Sequence, residues 1–452
     1  MQRGWSPGFG SASWGVLRTC VFAVLLAGIA SSNCLATVSE LRDPFFSSVP
    51  FERWHAEGKR KQIRWDVEFF PVELSVHQRL LARVRIEINR DAALEPAPRA
   101  FAVFVEYRDE SGGVWQTHIL AGRGYARDAA DPQTVVFGNA FVLPGSYVVS
   151  VAVFDQTTHE HSFVSHRIQA KAPAGDPLPH AWDGLPAVEF LPPRVDAPDE
   201  WFLPSITTHL ALPVPTHRPV RLDVIVNATP GGNMAGSTSA LRRNMSVLIP
   251  SLKVISQIEP EQGSIHVRML DLVARRIAFE QNEARTRATG DPHSDGDNWP
   301  ALDWPRLRRF FVESRPGIID ARALAWFWKM RSFFWDQVLA AQGAPRRDAR
   351  VVLVLSGPAF FPGQEAIPQS ETEWAQNACI YYVRYRPFES FPRRVRSRPG
   401  AHPFPATPLV RPMPEDELEI AARKLNARVF DVTSPVEFRR AVAAVMGQLA
   451  GL

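Results

Sequence analysis

A glycine-rich loop joins a predicted strand to a predicted helix between Gly231 and Thr238, with the spacing G-x-x-x-x-G-x-T. Phosphate-binding loops have a similar spacing, because their backbone N–H groups surround the phosphates while a lysine neutralises them. Ser237 stands where that lysine is required, and the next lysine along the chain is Lys253. The pattern therefore favours a flexible connection with a Ser/Thr helix cap over a phosphate site.

A second loop, Asp291 to Asp297, resembles the start of a calcium-binding loop, with oxygen ligands at positions 1 and 5 and a glycine at position 6. Position 12 of such a loop requires a bidentate glutamate, and Leu302 stands there. We interpret this segment as a solvated loop, with adventitious binding of a divalent cation as the alternative.

Signals for nucleophilic catalysis are absent from the sequence. There is no G-x-S-x-G motif and no H-x-x-x-H pair, and Cys379 lies in an apolar, strand-like run without a catalytic partner nearby in sequence. Cys379 is therefore interpreted as a small buried hydrophobic residue. Acid pairs such as Asp271 with Glu280 are compatible with acid–base chemistry, but equally with any protein surface.

Arginines gather in a proline-rich stretch after a predicted strand. They are Arg384, Arg386, Arg393, Arg394, Arg396, Arg398 and Arg411. One interpretation is a solvated loop, as most charge runs are. The other is a surface that docks to an acidic protein or an anionic envelope polymer, with Arg393, Arg394 and Arg396 at its centre, and such binding would weaken as salt is added.

The first 36 residues have the three parts of a secretory signal: Arg3 and Arg18, an apolar run from Val21 to Ala30, and small residues beyond it. Cleavage after Ala30 or Ala36 would yield a secreted or periplasmic protein, and a short membrane-anchoring helix is the alternative. The apolar run is shorter than the roughly 20 residues that span a bilayer, and no other run reaches that length. Cleavage after Ala36 would leave Cys379 as the single cysteine, so no internal disulfide would be possible.

The composition is that of an ordinary soluble protein, with 45% hydrophobic and 22% charged residues in 452. The formal net charge of +4 is too small to indicate a nucleic-acid-binding surface. Proline is the exception, at 39 residues.

After an N-terminal extension at 37–62, the segment 63–170 alternates apolar and polar residues in about seven short runs, which predicts a β-sandwich of immunoglobulin-like topology. A Pro144-Gly145 turn, Tyr147 and a strand that ends at Asp155 form a pattern that resembles bacterial immunoglobulin-like modules. Residues 171–219 are rich in proline and are predicted to be a semi-rigid linker. Its four large aromatics, Trp182, Phe190, Trp201 and Phe202, indicate that the linker packs on a neighbouring domain.

From residue 220 onward, predicted strands and helices alternate. The strands are Val220 to Val226, Ser264 to Leu272, Arg350 to Leu355, Ala378 to Tyr385 and Arg428 to Val432, and the helices are Leu241 to Ile258, Trp304 to Glu313, Ile318 to Ala341, Asp416 to Leu425 and Pro435 to Leu449. Ser434 is predicted to cap the last helix, with Glu437 three residues on. Because strands of this kind alternate with helices over 220–452, we predict a doubly wound parallel sheet.

This half resembles the von Willebrand factor A-like fold, in the divergent acidobacterial VWFA-related form found in secreted bacterial proteins. The resemblance rests on three segments: Arg221-Leu222-Asp223-Val224-Ile225-Val226-Asn227, the strand Val351 to Leu355 with Ser356-Gly357 after it, and Arg428 to Ala441. It implies a ligand site at the carboxyl ends of the strands, where Asn227, Thr229 and Ser356 would converge.

The family's metal site uses an Asp-x-Ser-x-Ser loop after the first strand and a later aspartate, and oxygen ligands of this kind suit hard cations. Here the first ligand is the neutral Asn227, Thr229 keeps a hydroxyl, Gly231 offers no side chain, and Ser356 replaces the later aspartate. These departures from the family's pattern predict a degenerate site with no resident metal, with a bound divalent cation as the alternative.

The expected function is non-enzymatic binding of a protein or an envelope polymer outside the cytoplasm, with no nucleic-acid partner. A hydrolase or other enzyme with its site at the same strand ends is the alternative, and a structural spacer in a larger assembly is a third possibility.

Overall fold

The computed structural model describes residues 50–57, 63–89, 100–121, 133–192, 199–203, 205–206, 208–229, 238–286, 302–314, 329–342, 349–359, 378–386 and 416–452. The chain divides into two compact units, Met1–Arg53 and Trp54–Leu452. The sheets and helices below belong to the second unit, apart from helix α1 (Phe51–Glu57), which crosses the boundary. None of the helices described is long and apolar enough to cross a membrane.

The segment 63–192 is built from short strands. They are β1 (Trp65–Phe69), β2 (Glu73–Leu74), β3 (Leu80–Ala82), β4 (Val84–Asn89), β5 (Phe101–Asp109), β6 (Val114–Ala121), β7 (Gln133–Phe137), β8 (Ala140–Val142), β9 (Gly145–Asp155), β10 (His161–Ala170) and β11 (Val188–Phe190). They form three antiparallel sheets with the orders β1-β4-β7, β10-β9-β5-β6 and β11-β8-β3-β2. An all-β part of the chain is thus confirmed.

Alternation of side chains explains why these strands share one apolar core. Along β4, Ile86 and Ile88 are fully buried while the residues between them are partly exposed. On β5 and β9, Val103 and Val151 enter the same core. Every second residue of these strands therefore faces the shared core, as expected for a pleated strand.

Two turns at the ends of β9 follow their sequence signals. The Tyr147 hydroxyl donates to the carbonyl of Leu143 at 3.1 Å, which ties the strand to the turn that precedes it. At the other end, Asp155 Oδ1 accepts from the N–H groups of Thr157 and Thr158, at 2.8 and 3.2 Å. The Asp155 side chain therefore forms the expected polar turn.

The proline-rich segment 171–219 packs against its surroundings. Trp182, Trp201 and Phe202 are buried and Phe190 is half-buried. The segment also holds short elements, β11, helix α2 (Asp199–Phe202) and β12 (Leu212–Val214).

The remaining elements alternate between strands and helices. They are β13 (Val220–Asn227), α3 (Thr238–Ile255), β14 (Ile258–Pro260), β15 (Gln262–Asp271), β16 (Arg276–Thr286), α4 (Trp304–Ser314), α5 (Met330–Gln342), β17 (Ala349–Ser356), β18 (Ala378–Tyr385), α6 (Glu417–Lys424), β19 (Arg428–Val432) and α7 (Pro435–Ala450). β14 pairs in parallel with β12 of the preceding segment. Ser434 caps α7 as predicted, and the Glu437 carboxylate accepts from Thr433 N at 2.6 Å.

Six of these strands form one mixed sheet with the order β16-β15-β13-β17-β18-β19. β15, β13, β17, β18 and β19 run parallel, and β16 is antiparallel at one edge. Strand β16 was missed by the sequence analysis. It contains the polar run Glu280, Gln281, Asn282 and Glu283, whereas strands β13 and β17 of the same sheet consist mainly of apolar residues.

Helices cover both faces of this sheet. On one face, Leu248 of α3 and Phe438 of α7 pack in the same cluster as Val224 and Leu353. On the other face, Phe334 of α5 and Leu418 of α6 pack with Val352 and other strand residues. Burial on both faces explains the near-continuous apolar runs of β13 and β17.

Buried polar contacts join the tip of the β2–β3 hairpin, segment 171–219 and the α/β half. Gln78 donates from Nε2 to the carbonyl of Pro435 at 3.0 Å, and Trp182 Nε1 donates to the carbonyl of Gln78 at 2.7 Å. Arg439 of α7 is fully buried and donates to both carboxylate oxygens of Asp176, at 2.5 and 2.9 Å. The proline-rich segment is therefore held by specific hydrogen bonds on both sides.

A partly buried lysine adds to this junction. Lys253 of α3 lies within 3.2 to 3.4 Å of the carbonyl oxygens of Phe202, Leu203 and Ile206. Burial lowers the pKa of Lys253 to about 8, with nearby Arg79 acting in the same direction and Glu189 opposing both. The carbonyl contacts satisfy an ammonium group that burial would otherwise leave without hydrogen-bond partners.

Candidate functional site

The six-stranded sheet brings Asn227 and Ser356 together at its carboxyl edge. Asn227 ends β13 and Ser356 ends β17, and these strands are parallel neighbours with Val226 opposite Leu355. β13 is also where the strand order reverses, because β15 lies on its other side. Ligands of open α/β sheets bind at such a reversal, outside the carboxyl ends of the strands.

A network of neutral hydrogen bonds joins the loops at this edge. Asn227 Nδ2 donates to Ser356 Oγ at 3.0 Å, and Ser356 Oγ donates to the carbonyl of Gly357 at 2.6 Å. Asn227 Oδ1 accepts from the N–H of Thr229 at 3.0 Å, and Thr229 Oγ1 accepts from the N–H of Leu272 at 2.8 Å. All three predicted site residues are buried. They therefore connect the loops that follow β13, β15 and β17.

The residues of this network do not fit a divalent cation. Asn227, Thr229 and Ser356 are neutral, and their polar atoms already make hydrogen bonds to one another or to the backbone. Carboxylates supply most of the affinity for a hard cation. In the part of the chain that the structure describes, no group of three or more His, Cys, Asp or Glu residues could hold a metal ion. Gly231, the fifth position of the loop, lies outside the described residues.

A second cluster on the next strand is linked to this network through Gly357. The hydroxyl of Tyr382 on β18 lies 3.2 Å from the carbonyl oxygen of Gly357 and 3.1 Å from Asp416 Oδ2. Burial raises the pKa of Tyr382 well above its ordinary value, and the Asp416 carboxylate adds to the effect. Tyr382 therefore stays neutral and acts as a hydrogen-bond donor.

Asp416 connects the same edge to helix α6. Its Oδ1 accepts from the N–H groups of Leu418 and Ala359, each at 3.1 Å. The first of these contacts is a helix N-cap, and the second fixes the chain that leaves β17. The sequence analysis did not single out Asp416 as a site residue, because a single capping aspartate has no distinctive spacing.

Arg384 lies at the centre of this second cluster. Its guanidinium pairs with Asp416 at 3.1 Å, with Asp431 at 2.6 Å and with Glu419. Burial alone would lower the pKa of Arg384, but the hydrogen bonds to the three carboxylates raise it above the ordinary value.

Arg384 is therefore not one of the docking arginines with which the sequence analysis grouped it. It is 5% exposed, whereas Arg386 is exposed and pairs with Asp431 at 3.3 Å. The run of arginines begins inside strand β18, where residues 380–385 are all buried, and Arg386 is the first residue after the strand. Arg393, Arg394 and Arg396 lie outside the described residues.

A histidine between two carboxylates was also missed by the sequence analysis. His266 on β15 lies 2.8 Å from Asp223 on β13 through Nδ1 and 2.9 Å from Glu280 on β16 through Nε2. Arg221 pairs with Asp223 at 3.1 Å. Sequence pattern alone does not indicate this contact, because it depends on the pairing of three strands. Both ring nitrogens of His266 are engaged, so the cluster connects the edge strand β16 to the parallel strands.

A small apolar hollow of about 20 Å³ opens between helices α5 and α6. Its lining includes Phe334, Trp335 and Leu418, with Val354 and Ile380 from the strands beneath. Trp335 and Phe334 of helix α5 are buried, and Phe333, which packs against the cluster between this helix and the sheet, is half-buried. The remaining aromatics of the predicted helix, Trp326 to Trp328, lie outside the described residues, as do the phosphate-like loop 231–237 and the calcium-like loop 291–297.

Cys379 is free and half-buried at the start of β18, where it packs against the core. Its position agrees with the prediction of a small hydrophobic residue, although its burial is incomplete.

Neither a protein-family model nor a curated protein matches the chain. Solved structures give weak similarities over about a quarter of it. A structural-genomics target solved by X-ray crystallography is 12% identical, with 25% of this chain and 90% of that chain covered and a TM-score of 0.16. A conjugate transposon protein from Bacteroides vulgatus is 12% identical with a TM-score of 0.15, and a lipoprotein from Bacteroides thetaiotaomicron is 13% identical with a TM-score of 0.15. Scores this low carry no argument about fold or function.

Proposed function

We propose that this chain is an exported, non-enzymatic binding protein, in which a degenerate von Willebrand factor A-like half engages a protein or an envelope polymer. The domain plan of the proposal is a signal at 1–36, an extension at 37–62, an immunoglobulin-like β-sandwich at 63–170, a linker at 171–219 and the α/β half at 220–452. The exported location rests on the sequence of residues 1–36, which lie outside the described residues.

The order of the six-stranded sheet supports the assignment of the α/β half. The sheet has five parallel strands and one antiparallel edge strand, with helices packed on both faces. This arrangement is compatible with the doubly wound sheet that we propose from the resemblance. The hydrogen bond from Tyr147 to Leu143 supports the immunoglobulin-like assignment in the same way, because sandwiches of that type often tie a tyrosine hydroxyl to the backbone a few residues upstream.

The observation that carries the proposal is the buried Asn227–Ser356 hydrogen bond at the reversal of strand order. It closes the strand ends with neutral groups, at the positions where the family's metal site has charged ligands. A surface supported in this way can bind a partner through shape and hydrogen bonding without a metal. No carboxylate, histidine or thiol takes part in the described network, which favours binding over catalysis.

Partner capture tests this proposal. The mature chain, immobilised and exposed to an envelope extract in EDTA, is expected to retain a partner, and Asn227→Ala and Ser356→Ala should each lower retention about tenfold. Ser165→Ala, at an exposed position of β10, is the matched control and should retain the partner fully. Equal retention by all four proteins would exclude the strand ends as the binding site.

Two further experiments test the enzyme hypothesis and the contribution of the arginine-rich stretch. A hydrolytic turnover that disappears in Ser356→Ala while retention is unchanged would support the enzyme hypothesis. If the arginine surface contributes, a triple change of Arg393, Arg394 and Arg396 to glutamine should lower retention at low salt and have little effect at high salt.

A further inference from the structure

Strand β6 is an edge strand with an unusual composition. Within the described residues it pairs only with β5, along one of its two edges. Its eight residues, Val114 to Ala121, include neither Asp, Glu, Lys, Arg nor Pro. Natural proteins usually protect such edges with charge, proline or a bulge, because an exposed edge offers unpaired N–H and C=O groups to another strand.

Most other edge strands of this chain are protected in that way. The outer strand of the large sheet, β16, carries Arg276 and Glu280 among its charges, and the opposite edge, β19, carries Arg428 and Asp431. Strand β10, at the far edge of the same sheet as β6, carries Arg167. Strand β7 is uncharged but has only five residues.

Two large apolar side chains of β6 face solvent on one side of its sheet. Val114 is 45% exposed and Leu120 is 48% exposed. They share this face with Gln116 and His118, because alternate residues point the same way, while Ile119 faces the core.

The positions of these two side chains match a second copy of the same strand. If two β6 strands pair antiparallel about Thr117, each Val114 lies directly opposite Leu120 of the second copy, and Gln116 lies opposite His118. Directly opposed side chains are the pairs that stabilise antiparallel strands. One twofold arrangement would therefore cover both exposed apolar residues on each chain. It would also pair the backbone N–H and C=O groups along about 27 Å of strand, at roughly 3.4 Å per residue.

We propose that β6 is a homodimerisation edge, through which two copies of this chain join their β10-β9-β5-β6 sheets into one continuous sheet of twice the width. The inference concerns a surface remote in sequence from the strand-end site and does not depend on the proposed binding function.

Sedimentation velocity on the mature chain at 1 and 100 µM tests the proposal. The wild-type protein is expected to shift toward dimer at the higher concentration. Leu120→Lys should weaken the dimer at least tenfold, because it places a charge opposite Val114 of the second copy. Ile277→Lys is the matched control, since Ile277 is 37% exposed on the already charged edge strand β16, and it should dimerise like the wild type.

A cysteine at the proposed twofold axis tests the register independently of the charge change. Opposed residues in an antiparallel pair have Cα atoms about 4.5 to 5.5 Å apart, within the range that a disulfide spans. Thr117→Cys should therefore form a disulfide-linked dimer on mild oxidation, whereas Ser165→Cys on exposed β10 should not. A wild-type protein that stays monomeric at 100 µM, a dimer that survives Leu120→Lys, or equal cross-linking of the two cysteine variants would overturn the proposal.

Discussion

Replacement of Arg439 by methionine is expected to lower the free energy of unfolding by about 3 to 5 kcal/mol, the range found when one partner of a buried ion pair is removed. The Arg439 side chain is fully buried, and it donates to both oxygens of Asp176 and to the carbonyl of Leu178 at 2.6 Å. Its guanidinium also lies 4.6 Å from the ring centre of Trp182. The variant would leave the nearly buried Asp176 carboxylate without its cation.

The neighbouring Arg440 provides the control, because it is exposed and carries the same charge. Arg440→Met should change stability by less than about 0.5 kcal/mol, as exposed substitutions usually do. Urea unfolding of the two variants measures the difference directly. Equal stability of the two variants would mean that the Arg439–Asp176 pair does not hold the proline-rich segment to helix α7.

The Arg439–Asp176 pair should also make the stability of the protein depend on pH, because its contribution requires an ionised Asp176. Burial would raise the pKa of Asp176, but the hydrogen bonds and charge of Arg439 and the N–H of Leu178 hold it below the ordinary value of 3.8. The stability that the pair contributes is therefore complete above pH 3.8 and is lost as pH falls through the lower folded-state value. The difference in free energy of unfolding between the wild type and Arg439→Met should therefore become smaller in that acidic range.

Replacement of Arg384 by methionine is the second large effect, with an expected loss of about 3 kcal/mol. Arg384 is the shared cation of Asp416, Glu419 and Asp431, and it joins β18 to α6 and β19. The loss falls at the low end of the range because Asp416 keeps its hydrogen bonds to Tyr382, Leu418 and Ala359.

Arg386→Met is the matched control for this change. Arg386 contacts the same Asp431, but its side chain is 47% exposed, so its ion pair should contribute less than about 1 kcal/mol. Thermal unfolding of both variants at one salt concentration makes the comparison. If Arg384→Met were as stable as Arg386→Met, the ion pairs of buried Arg384 would not be what holds β18, β19 and α6 together.

Local sequence patterns predicted much of the α/β half. The strands Ala378–Tyr385 and Arg428–Val432 were predicted to the residue, and the helix after Pro435 was predicted with its Ser434 cap. These elements have strong local signals, either a continuous apolar run between two helical layers or a capping serine followed by proline. In the β-rich half, several strands have only two or three residues, too short for an alternating pattern to predict them.

What escaped prediction depends on contacts between distant parts of the chain. The antiparallel edge strand β16 has a polar sequence and is held by pairing with β15. Arg384 is buried because three acids from other elements surround it, and its position in an arginine-rich stretch indicated the opposite. The convergence of Asn227 and Ser356 was implied by the resemblance to the von Willebrand factor A-like fold, but the hydrogen bond between them was not predicted.

Hydrogen bonds within the strand-end network hold Asn227, Thr229 and Ser356 in place, and we predict that the network takes no cation. The most direct test is the melting temperature of the mature chain in EDTA and then in millimolar magnesium, manganese and calcium. A ligand at 100 times its dissociation constant adds about 2.7 kcal/mol to stability, a shift that thermal melting detects easily. We predict the same melting temperature in all four conditions. A rise with any of the ions that disappears in Asn227→Ala would contradict the account and make metal-dependent binding the mechanism of this site.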